Sequence, residues 1–365
     1  MRRYLDALHF TEVETPILSP SSGGANATPF ETHSLGLNAD LKLRISPELY
    51  LKQLLVGGLD RVYEIGKVFR NEGVSPVHAP EFTTCEFYMT YANHEDLMSI
   101  TEDLLPSLMT HVTGSSTLSL PRDMARNCIS SFTSSQDDDD NDVDIDFSGP
   151  YVPPHPSLFC SVSSSSSFFS KTFKKNHTHT HRYNQLDVMT ELRKTYGDIP
   201  CTRDPTAFHD AIREICETHD ALPESRPYTT ARLLDTLIGT LLEPQCLHPT
   251  FIVGHPLVLS PLSRCRENES GDIVSERFEL FAAGKELINA YSELNDPRDQ
   301  RERFELQTAA REAGDSEGMF ADERFCVALE HGMPPAAGWG LGIDRLCMMM
   351  TGSRNIREVQ SFPLA

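Results

Sequence analysis

No uninterrupted apolar run in the sequence approaches the roughly 20 residues that a membrane-spanning helix needs, which argues against a bilayer protein. There is no CxxC pair, and with it go the common zinc and redox motifs. The nine cysteines, Cys85, Cys246 and Cys347 among them, stand singly in apolar or strand-like stretches and read as reduced, buried thiols of an intracellular protein. Basic residues are scarce. Lys and Arg total 32 against 53 Asp and Glu, a formal net charge of −21, which excludes a generally sticky nucleic-acid binder because phosphate affinity is built from Lys and Arg. Any RNA contact must be local and shaped. No signal or transit segment is visible: MRRYLDALHF is already amphipathic and runs into the strand-like TEVETPIL, as if the polypeptide started mid-domain.

What is present fits a soluble enzyme domain with an insertion: 365 residues, 39% hydrophobic and 23% charged. Residues 1–113 read as the first part of a structured core, with a helix, a strand around Val13 and Ile17, a glycine turn at Gly23 and Gly24, and then alternating strands. Residues 114–182 read as a low-complexity, disordered insertion. They hold an acidic run (Asp137 to Asp140), a serine tract (Ser163 to Ser167) and alternating His177, His179 and His181, a composition that does not build a core. The histidines form either a metal site or a solvated loop, and so much Ser, Thr and Lys around them favours the loop. Residues 183–247 turn helical, with Leu233, Leu234, Leu237, Ile238 and Leu241 on one side of a helix, and read as a small helical insert. Residues 248–365 return to strands (FIVGHPLVLS, RFELFAAGKEL), then a charged helix, a glycine-rich strand and a last helix. Strands without regular βαβ alternation predict an α+β fold on an antiparallel sheet.

Three constellations carry chemistry. The first is RVYEIGKVFRNEG followed by EFTTCEFYMTYA, read as two antiparallel strands joined by residues 73–80. Period-2 geometry puts Arg70 and Glu72 on one face of the first strand. On the second, Phe82, Thr84, Glu86 and Tyr88 share a face, and Thr83, Cys85, Phe87 and Met89 take the other. If the apolar set faces the core, an arginine, carboxylates, a phenol and a phenyl ring face a common pocket, an arrangement that asks for a ligand. The plain alternative is a surface hairpin with ion pairs.

The second is RFELFAAGKELINAYSELND, where Glu279, Glu286 and Glu293 recur in apolar surroundings and need cations. Asn289, Tyr291 and Glu293 share a face by parity, so one strand offers an amide, a ring and a carboxylate to a small cationic ligand. Glu286 has the wrong parity: either a bend or bulge intervenes, or it faces another ligand such as magnesium. The third is GWGLGIDRLCMMM, with Gly338, Gly340 and Gly342 leading into a helix that carries Arg345 near its start. Glycines allow close backbone approach to a nucleotide, and an arginine beside a helix N-terminus suits a phosphate. The spacing is neither the dinucleotide fingerprint nor the P-loop, and such turns also serve as packing devices.

In this order the segments resemble motifs 2 and 3 of class II aminoacyl-tRNA synthetases, those of lysyl-tRNA synthetases in particular, through FRNEG, HAPEFTTCEFYMTYA, NAYSELND and GLGIDRL. EVETPIL with SSGGANATPF resembles motif 1 and the amino-acid loop, and RISPELYLKQLLVGGLDRVYEIG the segment before motif 2. The resemblance covers about residues 1–112 and 248–365. It implies a six- or seven-stranded antiparallel sheet flanked by helices, and a homodimer built through motif 1 around Pro16. It also implies that Arg70 grips the ATP α-phosphate and the lysine carboxylate, that Phe82 stacks on adenine, and that Arg345, Glu72 and His78 sit at the nucleotide. Glu279 and Glu286 match carboxylates that hold magnesium, and Asn289 a contact to the amino acid's carboxylate. Glu48 and Gly24 match the α-amino contacts, while Glu86, Tyr88 and Glu293, with Tyr291 beside them, match the receivers of the ε-ammonium.

The activity so implied is lysine–tRNA ligation: in-line attack of the lysine carboxylate on the α-phosphorus gives lysyl-adenylate, and transfer to tRNA follows. No protein nucleophile is needed, in keeping with the absence of a Ser–His–Asp or Cys–His constellation. The N-terminal anticodon-reading OB-fold usual in this group has no counterpart in these residues. Residues 152–181 interrupt the family pattern and resemble translated intron or a lineage-specific loop, as in a truncated or imperfect gene model. Two other readings are a lysyl-transferring paralogue similar to the enzymes that modify elongation factor P, and a catalytically silent paralogue. Arg70, Glu286, Glu293 and Arg345 speak against silence. The PSSGGANATPF wording resembles the organellar branch, leaving mitochondrion and cytoplasm as compartments.

Overall fold

A computed structural model describes residues 1–21, 23–25, 27–125, 128, 142–148, 181–224, 226–315 and 318–364. Its centre is an eight-stranded sheet in the spatial order Thr11–Glu12, Arg61–Phe69, Glu81–Thr90, Ala336–Gly342, Lys285–Ser292, Arg277–Ala282, Thr250–Val253, Asn184–Asp187. The six inner strands are antiparallel, and the outermost pair at each edge is parallel. The fold is α+β, as expected, with more strands than the six or seven implied.

One face of the sheet is apolar. Cys85, Phe87, Met89, Leu280, Ile288, Ala290, Trp339 and Leu341 are buried there with Leu97, Ile100, Leu104 and Leu105 of the helix His94–Thr113. That helix starts where Asn93 and Asp96 cap each other's backbone N–H reciprocally, and it stops at Gly114, whose φ of 85° a side chain would resist. Trp339 Nε1 donates to Thr101 Oγ1 at 2.9 Å, satisfying the indole while the ring packs on Phe87. The opposite face carries the polar residues of the same strands and is roofed at one end by helices Glu48–Val56 and Glu323–Glu330, through Leu51, Leu55, Phe325 and Leu329.

Several expectations change on contact with the structure. Val13 and Ile17 lie between two short strands, Thr11–Glu12 and Leu18–Ser19, with Pro16, which has no N–H to donate, in the gap. The strand expected through FIVGHPLVLS stops at Val253, because Gly254 turns to a φ of 72° and Pro256 follows. Within 114–182 two short segments are folded. Thr117–Leu120 pairs with Val143–Asp146, and Leu118, Leu120, Ile145 and Phe147 enter the main core; alternating apolar residues suffice to cover the helix end despite the acidic run between them. His177, His179 and both the acidic and serine tracts lie outside the described residues. His181 is described, and its Nδ1 faces Glu102 at 3.5 Å.

The helical stretch forms helices Val188–Tyr196, Pro205–Thr218 and Thr230–Leu241, with Leu233, Leu234, Leu237 and Ile238 inward. It shares a core with Ile252 and Phe281 of the main sheet, and its strand Asn184–Asp187 extends that sheet's edge. Cys85, Cys128, Cys216, Cys246 and Cys326 are buried free thiols, but Cys201, Cys265 and Cys347 are only half-buried because they sit in a loop, at a strand end and on a helix's outer flank. No helix among the described residues is long and apolar enough to cross a membrane.

Candidate active site

The polar face of the sheet lines a cavity of about 430 Å³. Strand parity places Phe82, Thr84, Glu86 and Tyr88 on its wall while Cys85, Phe87 and Met89 point into the core, as the alternation predicts. Arg70 and Glu72 also line it, but from beyond the strand, which ends at Phe69. Arg70 N still donates to Pro80 O at 2.9 Å, yet Pro80 has no N–H to return the bond, so the ladder stops and Asn71 N turns to Thr28 O. Glu72 instead accepts from Thr28 N at 3.2 Å and fastens the loop that carries Gly24.

The parity conflict at Glu286 is resolved by a bulge. Leu280 pairs with Ile288 and Phe281 with Glu286, so Leu287 is the extra residue, and Glu286 comes round to the same cavity as Asn289 and Tyr291. Glu279 lies opposite Asn289. Arg277, which sequence reasoning missed, organises this wall: it donates to Asn289 Oδ1 at 3.0 Å, to Leu259 O and Ser260 Oγ at 2.9 Å, and forms an ion pair with Glu279. Burial works against the charge of Glu279, but Arg277 and His255, whose Nε2 is 3.2 Å from Glu279 Oε2, pull its carboxyl down to about 2. With one lone pair of its oxygen taken by Arg277, Asn289 keeps both amide hydrogens to offer a ligand.

At one end stand the cations. Arg345, third residue of the helix Ile343–Thr351, donates through Nη1 to Glu286 O and Oε2 at 3.1 Å and through Nη2 to His78 Nε2 at 2.9 Å. His78 Nε2 therefore accepts, and Nδ1 carries the hydrogen donated to Ser75 Oγ at 2.8 Å. Burial, then the charges of Arg345 and Arg70, lower the His78 pKa and keep the ring neutral. The Arg70 guanidinium lies over the Phe82 ring, 5.3 Å from its centroid. The Asp344 carboxylate accepts from Thr83 N at 2.6 Å, locking this helix start to the sheet.

At the other end stand the anions. Glu86 is held by Ser46 Oγ, 3.2 Å from both carboxylate oxygens, and by Tyr88 OH at 3.3 Å. Burial first, and then the neighbouring Glu48, raise its pKa to about 7. Tyr291 OH donates to Glu48 Oε1 at 2.5 Å. Gly24 sits against Glu48 with a φ of 92°, where a Cβ would be 3.0 Å from Glu48 Cβ. Glu293 is placed differently from the expectation: it lies under the cavity floor, 1% exposed, with Oε2 paired to the fully buried Lys52. A carboxylate this deep requires an internal counter-ion. Lys52 and Ser46 were not singled out from the sequence. The visible signals are a lysine four residues after Glu48 inside LYLKQLL, and a serine two residues before it.

The two ends are separated along one strand: Phe82 to Tyr88 is six residues, about 20 Å at about 3.3 Å per residue. An anion-binding end, a cation-binding end and an extended cavity between them suit a ligation of two small molecules. The family model for class II tRNA synthetases of the D, K and N type matches residues 1–365. The chain belongs to the class II tRNA synthetase family. It is 41% identical over its whole length to a lysine–tRNA ligase of Cladosporium cladosporioides, covering 53% of that protein. It is likewise 41% identical to a probable cytoplasmic lysine–tRNA ligase of Vairimorpha ceranae and 39% identical to a lysine–tRNA ligase of Shewanella piezotolerans, covering 62% of each. The chain thus spans little more than half the length of these curated synthetases, and the match includes both ends of the cavity.

Proposed function

We propose that the chain activates L-lysine with ATP and transfers it to tRNA(Lys), a lysine–tRNA ligase of class II. The observation that carries this reading is the pairing, in one cavity, of the Arg70–Arg345–His78 end with the Glu48–Glu86–Tyr88–Tyr291 end. Acidic groups and phenols select a long cation over a neutral side chain. In this reading the ε-ammonium meets Glu86 and Tyr88, with Glu293 completing the negative field from below. The α-ammonium meets Glu48 beside Gly24, and the carboxylate meets Arg70 and the Asn289 amide.

Phe82 stacks on the adenine of ATP, Arg345 holds the other side of the nucleotide, and Arg70 lies against its α-phosphate. A carboxylate oxygen of lysine then attacks the α-phosphorus in line, and pyrophosphate leaves. Two fixed guanidiniums neutralise the charge that grows on the phosphate oxygens. Glu72 and neutral His78 border the nucleotide, His78 by steadying Arg345. Among the described residues no cluster of three or more His, Cys, Asp or Glu forms a ready-made metal cage. Two carboxylates on one wall, Glu279 and Glu286, fit Mg²⁺, which takes one or two protein carboxylates and completes its shell with nucleotide phosphates and water. Bound there, magnesium would supply charge neutralisation on the phosphates.

Relatives that are lysine–tRNA ligases at about 40% identity favour tRNA over a protein acceptor. Ile17 and Leu18, 44% and 50% exposed beside Pro16, support a homodimer through that segment. The cytoplasmic relative favours cytoplasm, and the mitochondrion stays the second compartment. The deciding experiment is lysine-dependent exchange of pyrophosphate into ATP, with Arg70→Ala as control, followed by charging of tRNA(Lys). Exchange with lysine that Arg70→Ala abolishes is the expected result, and exchange with no amino acid, or with another in preference, sinks the proposal.

A further inference from the structure

Lys52 is 0% exposed and lies between two carboxylates, Glu48 Oε1 at 2.5 Å on its own helix and Glu293 Oε2 on the strand continuation opposite. The rings of Tyr291 and Phe325 complete its surroundings, 5.5 and 5.7 Å from Nζ to their centroids. A buried ammonium is costly unless its partners are ionised, and buried carboxylates are costly unless a cation answers them. Both carboxylates belong to the end of the cavity assigned above to lysine, and Lys52 itself does not line that cavity. Glu293 Oε1, directly under Gly338, has no hydrogen-bond partner among the described residues.

Resting on the lysine-activation reading, we propose that Lys52 is a positioning residue that tunes this site for a dicationic substrate, by pairing with Glu48 and Glu293 and fixing both from beneath. The charges show why one internal cation is needed. Glu48, Glu86 and Glu293 make three carboxylates; free lysine brings two ammonium groups, and its carboxylate goes to Arg70. Lys52 supplies the third cation, so the loaded site is balanced and no deep carboxylate is left bare. Its link to Tyr291 runs through Glu48 Oε1, which accepts from both Lys52 and the Tyr291 hydroxyl. Loss of Lys52 therefore frees Glu48 to move as well as unbalancing Glu293.

The groups facing this pair are Glu48 from the helix Glu48–Val56, Glu86 and Tyr88 from Glu81–Thr90, Tyr291 and Glu293 from Lys285–Ser292 and its extension, and the Phe325 ring. Removing the ammonium leaves only acids and phenols, so Glu293, which burial pushes up and Lys52 pulls down, should then hold a proton to higher pH.

The test compares the whole chain with Lys52→Met and Lys52→Arg, reading lysine affinity by calorimetry and lysine-dependent pyrophosphate exchange across pH. The expected result for Lys52→Met is a lysine KM raised roughly tenfold or more and a KM for ATP within about twofold of wild type. The acid limb of kcat/KM for lysine should move up by about one pH unit or more. Lys52→Arg keeps the charge and should keep the wild-type acid limb. If Lys52→Met does not fold, Lys52→Met with Glu293→Gln removes the buried pair together and should still show the raised lysine KM through the loosened Glu48. Folded variants with wild-type lysine KM and acid limb overturn the inference, as does an acid limb that moves equally in the Met and Arg variants. A wild-type chain that neither binds lysine nor supports exchange overturns the parent reading, and this one with it.

Discussion

Arg345 and His78, 267 residues apart, meet through a 2.9 Å hydrogen bond in which the arginine donates and the imidazole accepts. The contact ties the helix after the glycine strand to the loop between the first two hairpin strands, and it fixes a guanidinium already anchored on Glu286. Arg345→Ala removes one of two fixed cations from the anion-binding end. Exchange should fall by about 10²–10³-fold with lysine affinity little changed, because the loss falls on charge that develops during the reaction. His78→Ala, which only loosens Arg345, should cost less. Steady-state exchange kinetics check both, and equal losses from the two variants would count against the indirect role of His78.

Gly338 is fixed by contact. A Cβ there would stand 2.2 Å from Glu293 Oε1 and 2.3 Å from Tyr88 Cε1, both nearly immobile in the buried floor. Gly338→Ala should destabilise the fold by about 1–3 kcal/mol and weaken lysine binding. Gly340→Ala meets nothing closer than 3.6 Å and should cost less stability. Denaturant midpoints measure the contrast, and similar losses at the two positions would refute it.

Much of this site was legible because strand parity is a strong constraint. The alternation Phe82, Thr84, Glu86, Tyr88 against Cys85, Phe87, Met89 sorts wall from core without further information, whereas the misfit of Glu286 leaves a bend or bulge and a different ligand both open, and only the fold shows the bulge at Leu287. Residues that reach the site by tertiary packing were not legible. Arg277 reaches Asn289, Leu259 and Ser260, Ser46 reaches Glu86, and Lys52 reaches Glu293, partners that only the fold brings beside them. The folded segments at Leu118 and Ile145 were hidden by the acidic run between them, whose composition outweighed two short alternating segments.

Arg44 and Glu64 form a buried ion pair at 2.5 Å, 4% and 5% exposed, and both bind Thr15: Arg44 Nη1 donates to its hydroxyl at 2.9 Å, and that hydroxyl donates to Glu64 Oε2 at 2.6 Å. The pair clips the segment beside Pro16 to the sheet. Arg44→Ala strands a buried carboxylate and should cost about 3–5 kcal/mol, whereas Arg44→Met with Glu64→Gln should cost clearly less. Chemical unfolding distinguishes the two, and equal costs would show that packing outweighs the charge.

Ile17 and Leu18 follow Pro16 directly and are exposed. If that surface joins two copies, Ile17→Asp with Leu18→Asp should convert a dimer to a monomer by sedimentation, since charge placed at the centre of an apolar contact is costly to desolvate. A wild-type chain that sediments as a monomer at every concentration would remove the dimer from the proposal.

The pKa of Glu86 gives the pH dependence a definite sign. Burial and Glu48 raise it from 4.5 to about 7, so between those values the folded chain holds a proton that the unfolded chain has released. Stability from this group is full below about 4.5, falls as pH rises to about 7, and is level above, a change on the order of 3 kcal/mol at about 1.4 kcal/mol per unit. Glu86→Gln removes that slope, so its stability advantage over wild type should grow across this window and then stay constant. Lysine binding runs the other way. The ε-ammonium favours the ionised carboxylate, so wild-type affinity should rise with pH to about 7, with proton release on binding near neutrality that calorimetry in buffers of different ionisation enthalpy detects. A Glu86→Gln stability curve parallel to that of wild type would show that the proton does not reside on Glu86.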